Sequence, residues 1–179
     1  MIKKILLGLV VIIAAICGIA SFQSDEMNVS RSATISAPPE AVFKVVNNFR
    51  QWDAWSPWSK LDPNMKKSWQ GPSEGVGAIY RWSGNDQVGE GSMTLMESKP
   101  SEKVSIKLEF ARPFAGLSDV QFTFLPAGAG TKVTWSMQSK NAFMAKVIGL
   151  FVDFEEMCGD SFTEGLASLE KLVTVSPKS

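Results

Sequence analysis

The sequence predicts an α+β domain in which a curved antiparallel β-sheet wraps around a long C-terminal helix. An N-terminal helix apolar enough to cross a membrane precedes it. Three observations carry this reading. The run from Ile5 to Phe22 holds 18 residues without a charge. From residue 65 onward, short segments alternate apolar and polar residues between turns marked by glycine and proline. That is the pattern of antiparallel strands with one dry and one wet face. From Ala142 to Val173 the apolar residues recur instead at close to helical spacing, as on the buried stripe of a helix.

The chain opens with the basic Met1-Ile-Lys-Lys4 and reaches its first acidic residue at Asp25. At about 1.5 Å per residue the uncharged run is about 27 Å long, just short of a ~30 Å hydrocarbon core. Lysines before it and Asp25-Glu26 after it place the N-terminus in the cytoplasm and the rest on the outer, periplasm-like side. Residues 1–22 read as an uncleaved anchor. Gly18-Ile-Ala20 before Ser21 leaves open a cleaved signal peptide, and Cys17 a lipoprotein signal. Residues 23–28 read as a linker, 29–173 as the folded domain and 174–179 as a flexible tail.

Within the domain, Val29 to Ala37 reads as the first strand. Pro38 and Pro39 stand where a helix would start, with Glu40 in its first turn, where a negative charge suits the helix dipole. Val42, Phe43 and Val46 share one face of this helix over 38–48. A second short helix is expected over 49–58, carrying Trp52, Trp55 and Trp58. Strands are expected over 65–70, 77–83, 89–98, 103–111, 117–125 and 131–139. Val104, Ile106, Leu108 and Phe110 take one parity, as do Val120, Phe122 and Phe124, and Val133, Trp135 and Met137. In the C-terminal helix Gly159 is expected to mark a kink.

Composition narrows the function. Hydrophobic residues make up 45% and the net charge is zero. Leaving out Lys3 and Lys4, acidic residues exceed basic ones by two, which argues against a nucleic-acid partner. The chain contains no histidine, so every His-dependent triad, dyad or metal centre is excluded. Cys17 lies in the apolar run and Cys158 far downstream, so no internal disulfide is expected. No motif sets a nucleophile beside a base. Asp153, Glu155, Glu156 and Asp160 read as a solvated helix face rather than a metal site. No catalytic residue, metal or cofactor is assigned.

Local patterns add a resemblance. They are Ile35-Ser-Ala-Pro-Pro-Glu-Ala-Val-Phe43, Trp52-Asp-Ala-Trp-Ser-Pro-Trp58, Gly77-Ala-Ile-Tyr-Arg-Trp82, Gly89-Glu-Gly91, Gly130-Thr-Lys-Val-Thr-Trp135 and Gly165-Leu-Ala-Ser-Leu169. In this order and spacing, from Val29 to Val173, the chain resembles the START-like (SRPBCC) superfamily, in particular its polyketide cyclase/dehydrase and lipid-transport branch. The resemblance implies the helix-grip fold and often an apolar cavity between sheet and helix. It does not fix a function, because this fold hosts carriers, receptors, cyclases and chaperone activators.

The function that follows from residues and resemblance together is binding of a lipid or other hydrophobic small molecule near a membrane. The candidate ligand-binding residues are Trp52, Trp55, Trp58, Trp69, Tyr80, Trp82, Met93, Leu95, Ile106, Leu108, Phe110, Phe122, Phe124, Trp135, Met137, Phe151 and Phe154. Trp58 is expected at the cavity mouth. Phe151, Phe154 and Met157 are expected to cover the sheet, while Gly149, Gly159 and Gly165 leave room for a pocket of roughly a few hundred Å³. The alternatives are a cyclase- or dehydratase-like enzyme, and a partner-binding or chaperone-assisting module with a filled core. The sequence leaves the oligomeric state open.

Overall fold

A computed structural model of the chain describes residues 2–175. Residues 176–179 of the expected tail lie outside the described residues. The elements run α1 (Ile2–Ser21), β1 (Glu26–Ile35), α2 (Pro39–Val46), two 3₁₀ turns (Phe49–Ala54 and Pro57–Lys60), then β2 (Lys66–Gln70), β3 (Ile79–Ser83), β4 (Glu90–Lys99), β5 (Lys103–Arg112), β6 (Gly116–Ala127) and β7 (Gly130–Lys140), and finally α3 (Phe143–Ile148) and α4 (Phe154–Val175). The seven strands form one antiparallel sheet in the order β1-β7-β6-β5-β4-β3-β2. The helix-grip expectation holds: the sheet curves around α4, which packs mainly on edge strand β1.

Each element has a local cause. Pro39 opens α2 with its fixed φ, and Glu40 pairs with Lys44 one turn on at 2.8 Å; such an exposed pair contributes little. Burial of Val42, Phe43 and Val46 holds the helix to the sheet. The expected helix over 49–58 is instead two 3₁₀ turns. The Asn48 side chain accepts the Arg50 N–H to start the first, and Pro57 starts the second. The i, i+3 spacing of Trp52 and Trp55 stacks side chains in a 3₁₀ turn as it does in a helix. At the β3–β4 turn Gly89 has φ 63°, and a Cβ there would run into the Arg112 carbonyl, so this close approach requires glycine.

Two expectations need correction. The C-terminal helical pattern is interrupted over 149–153, not at Gly159. Asp153 Oδ1 accepts the Glu156 N–H at 2.9 Å and starts α4, with Glu155 and Glu156 in the first turn. The acidic cluster therefore includes a helix cap. Gly159 sits buried within α4, and the Arg31 guanidinium of β1 occupies the space its side chain would take. The first strand also begins at Glu26, three residues earlier than the sequence suggests.

The register places six features at one end of the sheet. They are the start of β1, the end of β7, the β5–β6 hairpin tip, the β3–β4 turn, the start of β2 and the linker from α1. This is the α1-side end. The β6–β7 turn and the end of β1 mark the far end.

Candidate functional site

The inward-facing residues lie in rows that cross the sheet. Nearest the α1 side, Lys67, Trp82, Gly91, Phe110 and Gly116 follow one another through the pairings. The next row is Trp69, Tyr80, Met93, Leu108, Ser118, Ser139 and Met27. A third holds Leu95, Ile106, Val120, Met137 and Val29, and a fourth Val104, Phe122, Trp135 and Arg31. Phe124 and Val133 lie beyond them.

Exposure rises steadily along these rows toward the α1 side. On β5 it runs from 0% at Val104 and 1% at Ile106 to 9% at Leu108 and 37% at Phe110. On β4, Leu95 is fully buried and Met93 less so. Trp82 is half-buried. The concave face is therefore closed at the far end and opens toward the α1 side.

Aromatic rings fill the closed end. Trp135 stacks on Phe162 of α4 with centroids 4.2 Å apart and lies 4.8 Å from Phe122. Trp52 lies 4.8 Å from Trp55, and both meet Phe122 edge-on. Trp58 meets Trp135 and Phe162 edge-on, so it belongs to this packed end rather than to a mouth. The Trp52 Nε1–H donates to the Val46 carbonyl at 2.9 Å. The indole N–H groups of Trp55 and Trp135 have no hydrogen-bond partner among the described residues. The groups around them are aromatic rings, which are weak acceptors.

The open end is built differently. Tyr80 stacks on Trp82 at 5.9 Å, lies 5.8 Å from Trp69, and Trp82 meets Phe110 edge-on at 5.7 Å. The Trp82 Nε1–H donates to the Val88 carbonyl at 2.9 Å. A Cβ at Gly91 would lie 2.6 Å from the Trp82 ring, so this glycine seats the indole. Arg50 caps Trp69 as a cation over its ring, 5.3 Å from the centroid. Polar groups face this region as well: the buried Trp69 N–H, which has no partner among the described residues, the Tyr80 hydroxyl, Lys67 and the buried Ser118. Burial, with a smaller contribution from the Asp53 carboxylate, pushes the Tyr80 phenol well above its ordinary pKa. It therefore acts as a neutral donor rather than a base.

The helix side departs from expectation. Phe151 is 74% exposed and Met157 also lies on the surface. Phe151 and Phe154 line a depression of about 590 Å³ at the α1-side end, together with Met27, Leu150 and Val152. Phe162, Leu166 and Leu169 are what α4 buries. Gly159 and Gly165 do not leave empty space beneath the helix. Arg31 occupies one position, and at Gly165 a Cβ would meet the Trp135 ring at 2.7 Å. A groove of about 1260 Å³ crosses the solvent-side face of the sheet at its α1-side end; Lys66, Arg81, Lys107, Glu109 and Asp119 line it, and Trp82 and Phe110 contribute to its wall.

Sequence reasoning missed two inward cations. Arg31 shares parity with Val29 and Ala33, and Lys67 shares it with Trp69, so alternation alone could have found both. Lys67 is half-buried and pairs with Asp53 at 2.7 Å. Cys17 and Cys158 are both free, and burial raises the Cys158 thiol pKa.

Comparison with known proteins agrees with this architecture. The family described as polyketide cyclase / dehydrase and lipid transport matches residues 26–174. Among solved structures, a Mesorhizobium loti protein is similar at 18% identity and TM-score 0.62, covering 85% of this chain and 100% of that one. A Nitrosospira multiformis protein is similar at 24% identity and TM-score 0.59, over 83% and 97% of the two chains. The Aha1 dimer from Colwellia psychrerythraea is similar at 15% identity and TM-score 0.60, over 85% and 99%. At these identities the likeness is one of fold. No curated protein matches the chain in sequence.

Proposed function

This chain belongs to the polyketide cyclase / dehydrase and lipid transport family, and from that premise we propose that it is a membrane-anchored binding protein for a lipid or other hydrophobic small molecule. The ligand enters at the α1-side end of the concave face. One observation carries this reading: packing is complete in the far rows and loosens row by row toward Leu108, Phe110 and Trp82. Binding is driven by burial of apolar surface, at ~25 cal/mol per Å². Met93 and Met137 supply adaptable walls. Trp69 and Tyr80 supply donors for one acceptor group on the ligand.

The anchor is α1, which is long and apolar enough to cross a membrane. Lys3 and Lys4 on one side and Asp25-Glu26 on the other support an N-terminus in the cytoplasm and a domain on the outer side.

Native mass spectrometry of the full chain released from membranes tests the reading. The expected result is an apolar molecule bound at a one-to-one ratio. Leu108→Trp should fill the open end, so the variant should lose that molecule while keeping its melting transition. Intact wild-type chain carrying nothing, with no apolar probe bound on titration, would overturn the reading.

A second reading, a partner-binding module, draws on the polar groove across the solvent-side face of the sheet. An empty concave face together with a protein bound on Lys107, Glu109 and Asp119 would favour it. The cyclase- or dehydratase-like alternative needs a base near the substrate, and the Tyr80 phenol does not serve as one.

A further inference from the structure

We infer that the domain rests on the bilayer that holds α1, with α3 and the tip of the β5–β6 hairpin inserted among the lipid headgroups. This inference depends on the proposal that α1 is a retained span, and it names the surface from which the open end is loaded.

Four observations carry it. First, the last turns of α1 pack against α3. Ala20 is fully buried and Ile16 and Cys17 are half-buried, while the rest of the helix is exposed. Second, the linker is pinned to the domain. The Asn141 backbone N–H donates to the Asp25 carbonyl at 2.9 Å, its side-chain amide donates to the Ser24 carbonyl at 3.1 Å, and Lys146 pairs with the Asp25 carboxylate. The domain therefore does not hang on a loose tether.

Third, the uncharged run spans about 27 Å against a ~30 Å core, so it has no length to spare. If Ile5 lies at one boundary, the turn Cys17–Ser21 lies at the other, and α3 shares its depth. Fourth, large apolar side chains at this end face outward. Phe143 and Met144 on α3, Phe114 and Leu117 around the hairpin tip, and Phe22 in the linker are all exposed. Aromatic residues favour the membrane interface, and an amphipathic segment there buries its apolar side among acyl chains. The hairpin tip and α3 sit at the same end of the sheet as the loosened rows, so such docking brings the open end to the lipid.

Site-directed spin labelling of the full chain in phosphatidylcholine vesicles tests this. Single cysteines are placed at Phe114, Met144, Val10 and Ala129 after Cys17→Ala and Cys158→Ala. Collision with oxygen, which partitions into lipid, is compared with collision with a water-soluble nickel chelate. The labels at 114 and 144 should favour oxygen, as the one at 10 does. The label at 129, in the far-end turn, should favour nickel. If 10 favours oxygen while 114 and 144 behave like 129, the docking inference falls and the anchor stands. Dipolar broadening between labels at 114 or 144, without oxygen preference, would mean that a second copy covers the patch, which also overturns it. If 10 itself favours nickel, the anchor reading fails and the docking inference fails with it.

Discussion

Two glycines of α4 show how much depends on what a missing side chain makes room for. At Gly165 a methyl group would press on the Trp135 ring and reach 3.2 Å from Pro57, both fixed in the packed end. At Gly159 it would press on the Arg31 guanidinium, the far end of a flexible side chain. Gly165→Ala should therefore destabilise the chain by ~1–3 kcal/mol. Gly159→Ala should stay within about 1 kcal/mol of wild type, because the gain in helix propensity offsets the displaced arginine. Thermal unfolding of both variants in the same detergent checks the contrast. Tyr80 gives a second test, since it is the only tyrosine in the chain. Its folded-state pKa is raised by burial first and by Asp53 second, so folded protein holds the proton more tightly than unfolded chain. The resulting stabilisation is fully present below the unfolded value of ~10 and is lost as pH rises through the folded value. Absorbance at 295 nm should show no tyrosinate near the ordinary pKa while the protein stays folded. An ordinary titration curve in folded protein would mean the phenol is not buried as described.

At the level of elements, the strands were legible because alternation records which face is dry, and it placed Leu95, Ile106, Leu108, Phe122, Trp135 and Met137 on the inward side as found. The helices were less so. Apolar spacing runs through Phe151 as though one helix continued, and the signal that it does not was Asp153, a capping residue three positions before Glu156. Gly159 drew the break to itself because a glycine in a helix reads as a weakness unless its neighbour on β1 is known. Trp58 was misplaced for a similar reason. Sequence order put it after a proline at an apparent rim, but the two 3₁₀ turns fold it against Trp135 and Phe162. The two ends of the concave face should respond differently to truncation. Phe122→Ala, in the closed rows, should cost ~3–5 kcal/mol. Phe110→Ala, already partly exposed, should cost under about 1.5 kcal/mol and act mainly on ligand uptake. Urea unfolding of the two variants measures this difference, and equal losses would mean that the sheet face is uniformly packed.

Alternating strands make one apolar concave face, the aromatic 3₁₀ turns and α4 fill its far half, and the pinned linker sets its looser half beside the apolar helix α1. The fold was readable from order and spacing. The location of the candidate site was not, because which half is filled depends on rings brought together from residues 52 to 162, and no local pattern records that meeting. The proposed ligand site lies on the inner rows at the α1-side end, and the methionines report on it directly. Met27, Met93 and Met137 face those rows, whereas Met96 and Met157 are exposed outside them. The measurement is a titration of the full chain, labelled with ¹³C in its methionine methyl groups and embedded in lipid nanodiscs, with a long-chain fatty acid, followed by NMR. Saturable shifts are expected at Met27, Met93 and Met137, with Met96 and Met157 unmoved. Unchanged spectra, or shifts confined to Met96 and Met157, would contradict the proposed site.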